Sequence, residues 1–455
     1  MPDPTPPRLQ PPTGTRDFYP VELARRRWIE SKWRTVALRH GFEEIDGPTF
    51  EHTDLYTTKS GPGIVSEIFG VYSGKDEANT RLMGQKLAAG DTGAIAPYAL
   101  RPEFTPTLAR MFAARAGALP KPCKWFWQGP CYRAEKPQKG RLREFWQWNC
   151  DILGGDDPAL ADAEILTLIN DLMAGFGLNV PVNFNHREAI NIALREAGAS
   201  EEAIPAILAI LDKTTADRNE RLTALGVDPH LYFSDKSLKI VDSIAGYLVP
   251  GGRQAVAAGP FEDVASHWRK MIDHADSLDG KIWYIINSDI VRGLAYYTGL
   301  VFEVQTENHR ALAGGGRYDN LIQTFGGPPT PAVGFGMGDV VLSLVLQEKG
   351  LMPSDKQIAA ELGLRPDAFV ISNGTPESDA LLAPMLTKLR RQGLHARRSY
   401  KSTKNIGKLL KEASDQNAQY AIILESATEI TVKNLDDNTQ TKGPTETLLE
   451  QLKPA

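Results

Sequence analysis

Between Tyr132 and Asp151 the chain reads YRAEKPQKGRLREFWQWNCD. Cations crowd a loop punctuated by Pro137 and Gly140, and aromatics follow, the pattern of two antiparallel strands pinched around a turn. Alternation along the return strand puts Arg141, Arg143, Phe145, Gln147, Asn149 and Asp151 on one face. Leu142, Glu144, Trp146, Trp148 and Cys150 take the other. On the polar face Arg133 and Arg141, with Lys136 and Lys139 nearby, can clamp phosphate oxygens, since guanidinium groups bind them bidentately and stay charged when partly buried. Gln147 and Asp151 can accept hydrogen bonds from an N–H ligand such as an amine or an imidazole. The same spacing also suits a solvated charged hairpin with one core face.

Three further stretches carry polar groups at telling positions. LRPEFTPTLARMFAARAG offers Thr105 as an N-cap and Pro106 as the first helical residue, so Glu103 lies on the turn entering a helix, near its positive end. RGLAYYTGLVFEV supplies Arg292, Tyr296 and Tyr297, and AGGGRYDN supplies Gly314 to Gly316 and Tyr318. Consecutive glycines let a small ligand approach the backbone, and tyrosines give a flat wall with a polar tip, although both also suit a tight bend among core aromatics. Gly334, Gly336 and Gly338 alternate without matching G-x-G-x-x-G and without a parallel βαβ unit, which predicts backbone packed close to a planar ligand and not a dinucleotide fold. Cys123, Cys131 and Cys150 form no Cys-x-x-Cys pair and the histidines lack zinc-site spacing, so no metal is expected from side-chain motifs. No activated Ser or Cys nucleophile is visible.

These groups need rigid elements to position them. At 455 residues, 42% hydrophobic and 24% charged, the chain is long enough for two or three domains with their own cores. A net charge of −5 excludes a simple basic nucleic-acid coat, so any such binding must come from local patches. The proline-rich lead over residues 1–13 reads as disordered and has no apolar signal region. With unpaired cysteines and no apolar run of membrane-spanning length, a cytoplasmic location is expected. Strands with segregated helices over 14–350 predict an α+β fold, an antiparallel sheet flanked by helices, interrupted by a helical insertion at about 189–277. A linker is expected at 351–365. Residues 366–455 then alternate strand and helix as in a small parallel-sheet α/β domain. Between Lys388 and Lys411 that domain carries nine Lys or Arg and no acid, a candidate nucleic-acid footprint.

Taken together, GTRDFYP, LRPEFTP, YRAEKPQKGRLREFWQ, RGLAYYTG, GGGRYD and NIGKLLKEA resemble, in order and from about Gly14 to Leu452, histidyl-tRNA synthetase, a class II aminoacyl-tRNA synthetase. The resemblance implies a class II catalytic domain over 14–350 and an anticodon-binding domain over 366–455. It implies ATP and L-histidine as substrates, Mg2+ with the phosphates, tRNA(His) as acceptor, a homodimer built on the first helix and GFEEIDGPTFE, and no membrane partner. Carried over by residue, Glu103, Thr105 and Gln147 orient the histidine amino group, Asp151 and Tyr297 meet the imidazole, and Tyr296 and Tyr318 complete that pocket. Arg133 holds the ATP α-phosphate, Arg141 the distal phosphates, and Glu135 faces the adenine side. Arg292 sits beside the reacting groups, and Gln138 at the hairpin tip meets the acceptor end of tRNA. Two departures stand out. Ala295 replaces an aspartate of many members, and Val341 stands where the third class II motif carries a phosphate-binding arginine. The alternatives these departures raise are a non-catalytic histidine-binding regulatory paralogue, like the regulatory subunit of ATP phosphoribosyltransferase, and a nucleic-acid-binding or sensing module on an inactive catalytic fold.

Overall fold

The computed structural model describes residues 9–60, 62–73, 75, 77–89, 96–211, 217–229, 262–278, 283–287, 290–292 and 296–452. The first eight residues of the expected lead, much of the expected insertion, and Ala295 lie outside the described residues. The chain divides into two compact units, Met1–Asp17 with Ile29–Met352, and Phe18–Trp28 with Pro353–Ala455.

The first unit contributes β1 (Glu43–Glu44), β2 (Phe50–His52), β3 (Gly70–Val71), β4 (Tyr98–Leu100), β5 (Cys123–Tyr132), β6 (Glu144–Leu153), β7 (Val182–His186), β8 (Tyr284–Ile286), β9 (Leu300–Val304), β10 (Ala313–Arg317) and β11 (Ala332–Gly338). Eight of them form one sheet in the order β1-β5-β6-β11-β10-β9-β7-β8, antiparallel except where β1 joins β5 and β7 joins β8. β5 and β6 are the arms of the hairpin expected from the sequence, and Gln138 and Arg141 bridge its tip. Away from the polar face, Trp33 of helix Pro20–Arg39 stacks on Trp148 of β6, which meets Phe335 of β11 edge-on. The described residues in and beside the expected insertion are helical at Arg187–Glu196, Ile204–Leu211, Arg218–Ala224 and Glu262–Ser277.

The central strands lie unusually close to their own side chains. Gly314 and Gly316 of β10 pair with Gly336 and Gly334 of β11, so four glycines share the face that carries Gln147 and Asp151. Gly315 faces the other way, and an ideal Cβ there would press on the Gly334 carbonyl and lie 2.7 Å from the Phe335 Cα. Neither backbone atom can rotate aside.

The end of β10 is fixed by a buried ion pair. Arg317 donates from Nη2 to Asp162 Oδ1 at 2.5 Å and to the Pro158 carbonyl at 2.7 Å, and from Nη1 to Asp319 Oδ1 at 3.0 Å. Burial works against the Asp162 charge, yet Arg317 and His267 hold its carboxyl below the ordinary range. His267 also meets the His186 ring, and His186 Nδ1 caps helix Arg187–Glu196 by accepting from the Glu188 N–H at 3.2 Å. Burial, with the positive neighbours His267 and Arg317 outweighing Asp162, pushes the His186 pKa down to about 3.

The second unit holds β12 (Ala368–Ser372), β13 (Ala396–Arg398), β14 (Tyr420–Leu424), β15 (Glu429–Asn434) and β16 (Gln440–Pro444) in the order β13-β12-β14-β15-β16. The three strands read from the sequence, β12, β13 and β14, run parallel as expected; β15 and β16, which extend the sheet beyond that reading, return antiparallel. The local cause is the short connection over residues 425–428, which closes a hairpin and leaves no room for a crossover helix. Within the segment expected as a linker, Asp355–Glu361 is helical, started by a capping box between Ser354 and Gln357. Of the nine basic residues noted in the sequence, Lys388, Lys401 and Lys404 face Glu446, Glu412 and Asp379, carboxylates distant in sequence. The linear charge excess is thus partly offset in space.

Two outcomes follow. Gly315→Ala should cost about 1–3 kcal/mol of unfolding free energy through overpacking, read as a lower urea midpoint; an unchanged midpoint would mean the strands can part. For His186 the folded pKa lies below the unfolded value of 6.5, so its contribution is complete above pH 6.5 and is lost as pH falls toward 3. The depressed carboxyl of Asp162 begins to matter only below its ordinary 3.8. His186→Asn, which keeps a capping acceptor, should therefore flatten the fall in melting temperature between about pH 6.5 and 4. Parallel melting profiles of the two proteins would contradict this.

Candidate active site

The polar face of the sheet floors a cavity of about 440 Å³. Its walls include Glu103 and Thr105 from the start of helix Thr105–Arg115, Arg133 and Arg141 from the hairpin, and Gln147 and Asp151 from β6. Arg292, Tyr296, Tyr297 and Tyr318 close the other side. Ten of the twelve residues singled out from the sequence therefore meet in one place. Glu135 does not line the cavity and instead pairs with Arg141 at 3.1 Å. Gln138 stays exposed on the hairpin tip.

The helix entrance differs by one residue from expectation. Phe104 takes the N-cap position without a side-chain cap bond, and Thr105 is already helical, which frees its hydroxyl from capping. Phe104 is held by tertiary packing: it stacks on Trp127 with centroids 4.2 Å apart. Arg101 lies over the same indole at 4.3 Å and donates to the Pro130 and Gly47 carbonyls at 2.9 and 3.0 Å. That clamp fixes the turn presenting Glu103.

On the floor, Tyr318 donates its hydroxyl to Asp151 Oδ1 at 2.5 Å, and Gln147 donates to Asn149 Oδ1 at 2.8 Å. Burial, with the Asp151 charge beside it, raises the Tyr318 pKa well above the ordinary value; burial, with Tyr297 beside it, does the same for Tyr296. Both phenols remain protonated donors at neutral pH. Three of the glycines noted in the sequence lie against the site's own side chains. A Cβ on Gly334 would strike the Asp151 carboxylate, one on Gly336 would stand 2.5 Å from Gln147 Nε2, and one on Gly314 would stand 2.7 Å from Arg292 Nη1.

Arg292 adopts a left-handed φ of 53°, a conformation that is costly for a residue bearing a Cβ and persists only when its surroundings hold it. Its carbonyl accepts from Arg187 Nη2 at 2.7 Å, and its Nη1 donates to Glu303 Oε1 at 2.7 Å. Burial opposes its charge, but Tyr297 and Glu303 outweigh burial and keep the guanidinium protonated. Arg187, Glu303 and Arg310 are not among the residues that the sequence patterns single out. Glu303 is detectable as a charged residue inside an otherwise apolar strand; Arg187 and Arg310 lie in no motif that would mark them. Arg133 donates to the Pro102 carbonyl at 3.2 Å and lies 5.1 Å from the centre of the Phe145 ring. Val341 forms part of the wall and brings no charge to it.

The cysteines take no part. All three are buried, and burial raises the Cys123 and Cys131 thiols to about 12, leaving them protonated and inert. The cavity brings carboxylates and phenols together with the guanidiniums of Arg133, Arg141, Arg292 and Arg310, which suits joining an N–H-bearing small molecule to a phosphate ester by positioning and electrostatics.

Comparison with known proteins agrees. A model of the histidyl-tRNA synthetase family matches residues 14–339. A histidine–tRNA ligase from Haloarcula marismortui is 34% identical over 441 residues, covering 95% of this chain and 94% of that protein. One from Opitutus terrae is 33% identical over 458 residues, covering 95% of each. The crystal structure of apo histidyl-tRNA synthetase from S. aureus superposes with a TM-score of 0.68 at 24% identity, over 98% of this chain and all of that one, and shares the class II synthetase fold. Matched by the family model over most of its length and by relatives above 30% identity over 95% of it, the chain belongs to the histidyl-tRNA synthetase family.

Proposed function

We propose that the chain carries out the reaction of its family in two steps through the residues of this cavity. The histidine carboxylate attacks the α-phosphorus of ATP, the bond to the β-phosphate oxygen breaks, and histidyl-adenylate and pyrophosphate result. The 3′-terminal ribose hydroxyl of tRNA(His) then takes the acyl group and AMP leaves. The observation that carries this reading is the convergence of Asp151, Tyr318 and Gln147 with Arg133, Arg141 and Arg292 on one cavity. The regulatory-paralogue alternative is not favoured, because relatives named for the ligase reaction cover 95% of the chain, the second unit included.

In this reading Glu103, Thr105 and Gln147 hold the amino group. Asp151, one oxygen already occupied by Tyr318, accepts an imidazole N–H from the other, and Tyr297 meets the second ring nitrogen. Tyr296 packs at 4.7 Å against Tyr297 and closes the pocket. Arg133 holds the α-phosphate, Glu135 lies toward the adenine side, and Arg141 exchanges its Glu135 contact for distal phosphates. Arg292 leaves Glu303 for the charge that develops on the α-phosphate.

In this reading magnesium would be carried by the triphosphate, and Glu303, which lines the cavity and pairs with Arg292, would be a carboxylate able to hold it. Bound there, it would neutralise phosphate charge. No described helix is long and apolar enough to cross a membrane; a cytoplasmic location follows from the proposed role in charging tRNA. We assign 14–350 to catalysis, with the insertion at about 189–277, and 366–455 to the anticodon, where Arg397, Lys408 and Lys411 stay exposed. Gln138, exposed at the tip, is placed to meet the acceptor end. The homodimer is supported by the small β2-β4-β3 sheet, on whose strands or flank Phe50 and Tyr72 remain 51% and 43% exposed.

Histidine-dependent exchange of labelled pyrophosphate into ATP, without tRNA and with the other amino acids as controls, tests the first step. Exchange with histidine alone is expected. Arg292→Ala should slow it about 100- to 1,000-fold, and an unchanged rate would remove Arg292 from the mechanism. Asp151→Ala should raise the KM for histidine while ATP binding, measured calorimetrically, holds; joint loss of both would instead signal a collapsed floor.

A further inference from the structure

We propose that Arg310 is a further phosphate-binding residue, holding the terminal phosphates of ATP beside Arg141. The inference rests on the adenylate-forming reading above. Arg310 lies on the loop between β9 and β10 and lines the cavity, and among the described residues its guanidinium makes no ion pair.

Its neighbours define the place it occupies. A Cβ built on Gly140 would lie 3.4 Å from Val341 Cγ2 and 3.7 Å from Arg310 Cδ, so both side chains pack around the same glycine of the hairpin turn. Val341 brings no charge there. Gly140 itself has a φ of +77°, and the open turn lets the loop carrying Arg310 approach the hairpin.

A clamp keeps Arg310 near Arg141. Glu348 faces His309 Nε2 at 2.9 Å from one oxygen and Lys139 Nζ at 3.5 Å from the other. It therefore ties the residue before Arg310 to the residue two before Arg141. The result is two guanidiniums in one corner with a single carboxylate, Glu135, which is already engaged at 3.1 Å with Arg141. Burial and the Arg141 charge lower the Arg310 pKa, and Glu135 only partly compensates. Positive charge gathered where Arg141 is partly buried and Arg310 exposed is offset when a polyanion binds, and a triphosphate whose α-phosphate lies at Arg133 has its outer phosphates free to reach this corner.

The test is pyrophosphate exchange with the full chain at saturating histidine. Arg310→Ala should raise the KM for ATP about ten- to hundredfold, the effect of losing one charge-assisted phosphate contact, with the KM for histidine within about twofold. Adding Val341→Arg to that variant should recover most of the loss, since the two side chains flank Gly140 from adjacent positions; a merely structural role for Arg310 would not be rescued this way. A wild-type chain that exchanges, with an Arg310→Ala variant of unchanged KM for ATP, overturns the assignment and leaves the adenylate reading standing. In a parallel aminoacylation assay, a raised KM for tRNA with the KM for ATP unchanged would likewise overturn it, placing Arg310 on the acceptor strand. Absence of exchange in the folded wild-type chain would remove the reading beneath it.

Discussion

A β-carbon on Gly334 would strike the Asp151 carboxylate, and one on Gly336 or Gly314 would press on Gln147 or Arg292. The site depends on this missing volume. Its long polar side chains lie down across β10 and β11 when they would otherwise project past each other, and that brings the acidic and cationic ends of the cavity within reach of one small ligand. Cross-strand pairing of Gly314 with Gly336 and Gly316 with Gly334 makes the hollow continuous. Glycine weakens a strand through its backbone entropy and lack of packing surface. Here the strands stay ordered because they lie in the middle of an eight-stranded sheet with Trp148, Phe335 and Trp33 packed behind them.

Three of the cavity's charged groups are held by partners beside them. Arg292 is paired with Glu303, Arg141 with Glu135, and Asp151 with the Tyr318 hydroxyl. A buried ion without a partner would be strongly destabilising, and one locked too tightly could not turn to substrate. The strained backbone at Arg292 fits this arrangement, since Arg187 holds its carbonyl from helix Arg187–Glu196 and leaves the guanidinium to face the cavity.

The Arg317–Asp162 pair couples these local features to the fold. It joins the end of β10 to helix Pro158–Gly175, and the next residue is Tyr318, the donor to Asp151. His267, from helix Glu262–Ser277, reaches the same carboxylate at 2.7 Å. The described part of the insertion thus bears on the floor of the site through one buried aspartate.

Much of this is legible in the order and spacing of the residues. Alternation assigns Phe145, Gln147, Asn149 and Asp151 to one face correctly, because a strand's two-residue period leaves no other choice there; it fails before the strand begins at Glu144, where Leu142 lines the cavity and Arg143 turns to the Glu135 and Thr13 carbonyls. Motif order identifies the family, and ten of the twelve residues it singles out line one cavity, since side-chain chemistry at fixed local spacing survives translation into three dimensions. What the sequence alone does not decide is which distant groups neutralise one another. The pairing of Arg317 with Asp162 across 155 residues, of Lys388 with Glu446 and of His309 with Glu348, the placement of Arg310 beside Gly140, and the purpose of the alternating glycines all follow from strand order and register. Local period sets the face a side chain takes; only the closing of long loops determines what it meets there.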